Sequence, residues 1–389
     1  MSMSEWQKYK LGEVYSFSSG LSKSSDQFGY GFDFLTFKDV FNNYFLPDKL
    51  TALVNSTEKE RQTCSIKRGD VFLTRTSETD DELGMSSVAL KDYPNATFNG
   101  FTKRLRPIGN VEIYPEFVAY YFRSPRFRAN IVGMSSITTR ASLNNSMLAE
   151  LPLLLPNYEE QVRIATILKC LDDKIDLLHR ENTTLEAMAE TLFRQWFIEE
   201  AKEDWEEGKL GDEFEFIMGQ SPSGESFNEE GAGIPMYQGN ADFGFRFPTK
   251  RIFTTQPTKF AEINDTLISV RAPVGAQNMA TEKCCIGRGV AAFRYKHNHD
   301  FYSYTYYKLK SLLEEIKQYN DNGTVFGSIS KSDFENIDIV IPDINTIQHF
   351  QEQVKPIDDK IINNNKQIQT LIQQRDSLLP KLMSGEVKI

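Results

Sequence analysis

Asp172-Asp173-Lys174-Ile175 lies inside an apolar heptad pattern, and the same four residues return as Asp358-Asp359-Lys360-Ile361. Around the first copy, apolar positions alternate steps of four and three over residues 164–192, and around the second over residues 350–382. A seam maintained over several heptads is typical of a coiled coil. The sequence therefore predicts two long helices that pair with each other.

The repeat extends outward from the two helices. An apolar run that ends in proline precedes each helix, at Leu151–Pro156 and Ile337–Pro342. Further towards the N-terminus, Trp6 with Lys10-Leu11-Gly12-Glu13 recurs as Trp205 with Lys209-Leu210-Gly211-Asp212. Self-similarity of this kind indicates a duplicated structural unit. Each copy is predicted to be a globular body followed by a helix.

The two helices are expected to run antiparallel, because a repeat that pairs with itself about a twofold axis packs that way. Each seam carries one asparagine, and setting Asn182 opposite Asn364 also sets Leu178 opposite Ile368. A buried polar pair fixes register at some cost in stability. We therefore predict that the two asparagines meet within the coil, the alternative being that either one reaches solvent. Pro356 is expected to bend the second helix or to delay its regular start.

The boundaries follow from these motifs. The first body covers residues 1–156 and its helix 157–203, while the second body covers 204–342 and its helix with the C-terminal tail 343–389. The bodies combine short apolar strands with helices, which indicates an α+β fold (mixed α/β) with a pseudo-twofold internal repeat. The helical overlap of about 30 residues spans about 45 Å. That length exceeds one turn of DNA, about 34–36 Å, so the rod could act as a ruler between two reading units.

Composition sets limits on the class of protein. The net charge is -10, yet most of the acidic excess lies within residues 157–207, so local basic patches elsewhere could bind phosphate. No secretory signal or apolar run of membrane-spanning length is present, which predicts a cytoplasmic protein without a membrane partner. The four cysteines show no zinc spacing. Phosphate-binding loops, dinucleotide fingerprints and histidine-rich catalytic motifs are also missing, so the sequence predicts neither a catalytic residue nor a metal site.

Basic and hydroxyl side chains recur at comparable places in both bodies. In the first body they are Thr74, Arg75, Lys103, Arg104, Arg106, Thr138, Thr139 and Arg140. In the second body they are Arg271, Arg288, Arg294, Thr324, Ser328 and Lys331. Arginine reads guanine edges, while lysine and hydroxyl groups mainly anchor phosphates. Any one of these residues could simply be solvated surface, but their recurrence in both bodies favours DNA binding.

With these residues in view, the chain resembles the specificity subunits of type I restriction-modification systems. The resemblance spans essentially the whole chain and rests on the duplicated tryptophan motif, on Gly69–Arg75, and on Glu159–Leu168 after Pro156. The second copy departs from the family pattern, because Thr346–Phe350 replaces the Glu-Gln entry to the helix. Contacts made by the second helix are therefore less well specified than those of the first.

The resemblance implies a non-catalytic DNA-recognition subunit. Its two bodies would be target-recognition domains, each reading one half of a split site in double-stranded DNA. Two methyltransferase subunits would dock beside the helices, and endonuclease/translocase subunits would complete the complex. S-adenosylmethionine, ATP and Mg would belong to those partners, with no cofactor on this chain.

Three alternatives remain open from the residues alone. The chain could be an enzyme with an unfamiliar motif, against which the missing cofactor loops count. It could be a structural tether whose coil joins two protein-binding modules, against which the repeated basic loops count. An acidic DNA mimic would need its negative charge on the bodies and not along the helix.

Overall fold

The computed structural model describes residues 6–75, 82–135, 143–318, 327–387 and 389. Its contacts divide the chain into two compact units. Unit 1 comprises residues 1–178 and 367–389, and unit 2 comprises residues 179–366. Each unit therefore contains one globular body together with a part of each long helix.

In unit 1, short strands and short helices precede the first long helix. The strands are β1 (Gln7–Lys10), β2 (Tyr15–Ser19), β3 (Phe28–Leu35), β4 (Ala52–Val54), β5 (Val71–Thr74), β6 (Ser86–Val88), β7 (Thr97–Phe98), β8 (Thr102–Pro107) and β9 (Pro152–Leu155). The helices are α1 (Leu11–Val14), α2 (Phe37–Asn42), α3 (Glu58–Thr63), α4 (Pro115–Arg123), α5 (Pro125–Ser135), α6 (Asn145–Glu150) and the beginning of α7 (Tyr158–Arg194).

The main sheet of unit 1 is covered on both faces. Its strand order is β2-β8-β5-β6, beside a three-stranded sheet of order β4-β3-β7 and the antiparallel pair β1-β9. Successive side chains of β5 point to opposite faces. Val71 and Leu73 pack in the cluster that contains α4, whereas Phe72 packs in a second cluster with Leu35 and Phe98. This explains why all of β5 is buried and reads as a continuous apolar run.

Helix α4 forms the centre of the first body. Its residues from Phe117 to Phe122 are all buried, as expected for a helix that is apolar around its whole circumference. The side chain of Gln161 on α7 accepts a hydrogen bond from the backbone N–H of Tyr114 at 2.9 Å, at the N-terminus of α4. One of the free N–H groups of that helix end is therefore satisfied by the long helix.

In unit 2, the same kinds of element follow the end of α7, which finishes in a π-helical turn at Gln195–Glu199. The strands are β10 (Glu206–Lys209), β11 (Phe214–Met218), β12 (Phe227–Asn228), β13 (Ile234–Tyr237), β14 (Ile252–Thr254), β15 (Phe260–Ala261), β16 (Thr266–Ser269), β17 (Gln277–Met279), β18 (Cys284–Ile286), β19 (Val290–Tyr295) and β20 (Asp338–Ile341). The helices are α8 (Leu210–Glu213), α9 (Tyr302–Ser311), α10 (Leu313–Lys317), α11 (Lys331–Glu335) and α12 (Ile344–Ser384), whose last part belongs to unit 1.

The two bodies share one topology. The main sheet of unit 2 has the order β11-β19-β16-β17, which matches β2-β8-β5-β6 strand for strand, and β10-β20 matches β1-β9. The smaller sheets differ, because unit 2 has a five-stranded sheet of order β12-β14-β13-β18-β15. The predicted α+β fold with an internal repeat is therefore confirmed, with the differences concentrated outside the main sheets.

The long helices pack through the apolar seam. In unit 1, Leu178 and Ile175 cluster with Ile368. In unit 2, Asn364 Nδ2 donates a hydrogen bond to Asn182 Oδ1 at 2.8 Å, and both residues are buried. The two asparagines that the antiparallel register sets opposite each other do meet.

Helix α12 begins at Ile344, so the expectation that Pro356 delays its regular start is wrong. Proline removes one backbone N–H, which normally weakens a helix interior. Here Phe350 and Val354 before the proline, and Ile361 after it, are all fully buried in the core of unit 2. The packing of this apolar face compensates for the hydrogen bond lost at Pro356, so the helix continues without interruption. Among the described residues, no helix is both long enough and apolar enough to cross a membrane.

Candidate nucleic-acid interface

Thr74 closes the base of the loop that follows β5. Its hydroxyl donates to the carbonyl of Glu82 at 2.6 Å and accepts from the N–H of Met85 at 2.9 Å, and the residue is fully buried. Ser269 holds the corresponding loop after β16, donating to Pro273 and accepting from Ala276, both at 2.8 Å. The prediction that Thr74 contacts DNA is therefore not supported by its position, because both hydrogen-bonding functions of the hydroxyl are used internally.

Two predicted DNA-contacting arginines belong instead to a repeated ion pair. Arg106 on β8 binds the carboxylate of Asp70 with two nitrogens, at 2.7 and 2.6 Å. At the same place in unit 2, Arg294 on β19 donates to Asp265. Both aspartates are buried and precede the central strand of their sheet. The recurrence that suggested DNA binding for Arg106 and Arg294 is explained by a shared element of the body's interior, which corrects that interpretation.

Arg104 is also committed to the interior. Its Nη1 atom donates to the carbonyl oxygens of Ser65 at 2.6 Å and Thr63 at 3.2 Å, and only 8% of the residue is exposed. Burial lowers the pKa of Arg104, and the neighbouring Arg106 lowers it further. The guanidinium thus ties β8 to the end of α3, and its predicted role at DNA is likewise corrected.

Arg75 and Lys103 lie close together in the first body, where Arg75 is partly exposed and Lys103 is only 7% exposed. Lys103 Nζ donates to Ser19 Oγ at 2.9 Å and Asn145 Oδ1 at 2.8 Å, both neutral oxygens. Lys103 pairs with Leu73 in the sheet, two residues from Arg75, and burial and the charge of Arg75 both lower the pKa of Lys103. The backbone N–H of Arg75 donates to the carbonyl of Phe101 at 2.8 Å. We call Ser19, Arg75, Phe101, Lys103 and Asn145 the first rim.

The corresponding surface of the second body carries a different set of cations. The N–H of Val270 donates to the carbonyl of Gly289 at 2.9 Å, as Arg75 does to Phe101. This bond brings together the two segments that carry Arg271 and Arg288, and both arginines are exposed. Arg271 also forms an isolated β-bridge with Ser328. We call Arg271, Arg288, Ser328 and Lys331 the second rim.

Within the part of the chain that the structure describes, the rims have little anionic compensation. Lys331 pairs with Glu335 at 3.2 Å across one turn of α11. Arg75, Lys103, Arg271 and Arg288 make no ion pair with a described carboxylate. Three partly or fully exposed cations, Arg75 in the first body and Arg271 and Arg288 in the second, can therefore bind phosphates or base edges.

Four of the predicted residues, Thr138, Thr139, Arg140 and Thr324, lie outside the described residues. The residues that follow those stretches are described in both bodies. The N–H of Leu143 donates to the carbonyl of Arg75 at 3.0 Å, and that of Ile329 to the carbonyl of Val270 at 3.2 Å. Leu143 and Ile329 therefore lie next to the first and second rims.

Sequence reasoning missed how the first Asp of each repeated Asp-Asp-Lys-Ile motif is used. In unit 1, Asp172 accepts a hydrogen bond from Tyr120 Oη at 2.7 Å and another from Arg375 Nη1 at 2.8 Å. Tyr120 belongs to the central helix α4, and Arg375 to α12. The aspartate thus fixes the body to both long helices within this unit.

The equivalent Asp358 in unit 2 also binds a tyrosine and an arginine, but its arginine belongs to the globular body and not to a long helix. It accepts from Tyr307 Oη at 3.2 Å and from Arg246 Nη2 at 2.8 Å, and Arg246 is only 1% exposed. The Arg246 guanidinium also lies 3.4 Å from the centre of the Tyr306 ring. The sequence did contain a signal for these contacts, because both copies of the motif place a carboxylate within an apolar helix pattern. A buried carboxylate requires a buried hydrogen-bonding or cationic partner.

The described residues contain no group of three or more His, Cys, Asp or Glu side chains that could hold a metal ion. One carboxylate of the second body with a shifted pKa is Glu213, whose pKa burial raises to about 7. Glu213 accepts from Tyr304 Oη at 2.6 Å and is buried in the core. Glu213 is therefore held inside the core of the second body.

Comparisons with known proteins agree with the duplicated organisation. A model of the type I restriction modification DNA specificity domain matches residues 3–187 and 202–374. The chain is 28% identical over 413 residues to the type I restriction enzyme MjaIX specificity subunit of Methanocaldococcus jannaschii, covering 97% of this chain and 92% of that protein. It is 22% identical over 477 residues to the HindI specificity subunit of Haemophilus influenzae, covering 99% and 100%.

A solved structure shares the fold. The crystal structure of a type I restriction-modification system S subunit from M. genitalium matches with a TM-score of 0.62 and 18% identity, covering 98% of this chain and 97% of that one. At this identity the likeness shows a common fold alone.

Proposed function

This chain belongs to the type I restriction-modification DNA specificity family, and from that premise we propose that each body reads one half of a bipartite DNA site. The first rim contacts the first half-site and the second rim contacts the second. The paired helices set the separation of the half-sites and dock two methyltransferase subunits. The observation that carries this proposal is that each body has exposed or partly exposed cations without a described carboxylate partner at the same edge of its main sheet, Arg75 in the first and Arg271 and Arg288 in the second.

In this proposal the chain is a recognition subunit and performs no chemistry. Methyl transfer and DNA cleavage belong to the methyltransferase and endonuclease/translocase partners. S-adenosylmethionine, ATP and Mg are held by those partners. This division lets one chain define the same site for both activities.

The test is selection of bound sites from random duplex DNA by the full chain co-expressed with its methyltransferase subunit. We expect two short fixed elements at a constant separation. Arg75→Gln with Lys103→Gln should weaken or relax one element, and Arg271→Gln with Arg288→Gln the other. Each lost phosphate contact should reduce the slope of log affinity against log salt by about 1.

The two double variants control for each other, and Lys8→Gln serves as a charge-loss control because Lys8 is exposed on β1. Binding without a recovered sequence, or rim variants that change neither element, would contradict the proposal. A failure to bind DNA at all would favour a tether that joins two protein-binding modules.

A further inference from the structure

The first body carries three exposed aromatic side chains at the start of β3. Phe28, Tyr30 and Phe32 are 38%, 49% and 38% exposed, and glycines separate them. Phe28 and Phe32 both face Val54 of β4, so the intervening residues bulge out of the strand pairing. We call Phe28, Tyr30 and Phe32 with their two glycines the aromatic bulge.

The backbone of the bulge is built for glycine. Gly29 and Gly31 have φ values of 92° and 100°, in the left-handed region that disfavours other residues. A β-carbon on Gly31 would lie 2.6 Å from the carbonyl oxygen of Val54. Two glycines thus hold Tyr30 at the outermost point, where half of its side chain is open to solvent.

Polar and cationic groups border the rings. The Arg61 guanidinium lies 3.8 Å from the centre of the Phe32 ring. Asn55 Nδ2 donates to Gln27 Oε1 at 2.9 Å and lies 3.4 Å from Tyr30 Oη. Aromatic faces flanked by arginine and amide groups suit nucleic acid, because the rings can contact bases and sugars while the cation approaches a phosphate.

The bulge is continuous with the first rim. Arg61 belongs to α3, and just beyond the end of that helix Cys64 Sγ lies 3.8 Å from the carbonyl oxygen of Ser19. Ser19 Oγ in turn accepts the hydrogen bond from Lys103. Helix α3 therefore links the rings that it borders to the first rim.

The second body has a similar bulge in its backbone, but the bulge carries acidic instead of aromatic side chains. Phe227 and Ile234 both face Thr254, as Phe28 and Phe32 both face Val54. A β-carbon on Gly233 would lie 2.1 Å from the Thr254 carbonyl oxygen. The residues between Phe227 and Ile234 are Asn228-Glu229-Glu230-Gly231-Ala232-Gly233, which present two carboxylates and no aromatic ring. Carboxylates are repelled by phosphates, so this tip does not suit DNA.

We propose that the aromatic bulge enters the minor groove of the first half-site and wedges Tyr30 against a base step. The inference rests on the proposed function and specifies how one of its two halves is read. An apolar or aromatic wedge partly unstacks a step and bends the duplex, and pyrimidine–purine steps yield most easily. The first body therefore recognises how easily a DNA base step deforms, in addition to base edges. The second body recognises base edges without this contribution.

The test uses the complex of the full chain with its methyltransferase subunit and the selected duplex, with 2-aminopurine placed at successive steps of each element. Apart from any base that a methyltransferase subunit flips out of the stack, we expect binding to raise 2-aminopurine fluorescence at one step of the first element and at none of the second. Tyr30→Ala should abolish that rise and weaken binding about tenfold, with the salt dependence unchanged because no ionic contact is lost. Tyr30→Phe should retain both, since the ring and not the hydroxyl forms the wedge.

The matched control is Glu229→Gln, at the equivalent tip of the second body, which should leave the fluorescence and the affinity unchanged. Equal thermal unfolding of wild type and Tyr30→Ala shows that folding is intact. If the rim variants alter the selected elements but Tyr30→Ala binds like wild type, the wedge is refuted while the proposed function stands. If Tyr30→Ala instead loses the methyltransferase subunit, the bulge binds protein and the wedge is also refuted. If wild type selects no split site, both proposals fall.

Discussion

Arg106 donates hydrogen bonds to both carboxylate oxygens of Asp70, which is fully buried and directly precedes β5 of the main sheet in the first body. Removing one partner of a buried pair leaves an uncompensated charge. We expect Arg106→Met to lower the free energy of unfolding of unit 1 by about 3 kcal/mol, measured by urea denaturation. Arg126→Met is the control, because Arg126 is exposed. Equal effects of the two substitutions would show that the pair contributes little.

The asparagine pair in the coil should show strong coupling. Asn364 Nδ2 donates to Asn182 Oδ1 and also to Glu181 Oε2 at 3.0 Å. We expect Asn364→Leu to destabilise the chain by about 1–3 kcal/mol, because Asn182 keeps a buried polar group without its donor. Adding Asn182→Leu should restore stability or exceed that of wild type, since an apolar pair needs no hydrogen bond. A double variant less stable than the single one would refute this explanation.

The two aspartate–arginine pairs should differ in strength. Arg246 and Asp358 each have 1% of the side chain exposed, whereas Arg375 and Asp172 have 19% and 21%. We expect Arg246→Met to cost about 3–5 kcal/mol, as for a fully buried pair. Arg375→Met should cost less, because water partly replaces the lost partner. Hydrogen exchange resolved by unit measures both, and a larger loss for Arg375→Met would contradict the ranking.

Glu213 predicts a pH dependence of the second body's stability. Burial raises its pKa from 4.5 to about 7, against the lowering effects of Lys308 and Tyr304. Between these values the folded protein keeps a proton that the unfolded chain has released, so the contribution of Glu213 to stability is greatest below pH 4.5 and falls as the pH rises to 7. The loss is about 3 kcal/mol.

In Glu213→Gln that fall should be absent, because an amide does not titrate in this range. The measurement is urea denaturation of both proteins at several pH values between 4.5 and 7.5. The quantity to compare is the difference between the two stabilities at each pH. A difference that stays constant with pH would show that Glu213 does not titrate there.

The coil could be predicted because a heptad pattern fixes which positions face each other. The alternation of charges on β8 was less informative, since it does not reveal that both faces of that strand are covered. Arg104 and Arg106 therefore looked like surface residues although their partners lie inside. The partner of Asp358 is Arg246, 112 residues earlier in the chain. Only the folded topology brings such distant residues together.

The pairing of Asp70 with Arg106, and of Asp265 with Arg294, has a consequence for how such a chain can change over generations. These residues anchor the sheet that duplication copied, whereas the tips around Tyr30 and Glu229 differ in length and chemistry. A mutation at a tip changes an exposed surface without disturbing the buried anchor. The exposed tip of each body can therefore change independently, while the shared topology of the main sheet meets the requirements of folding.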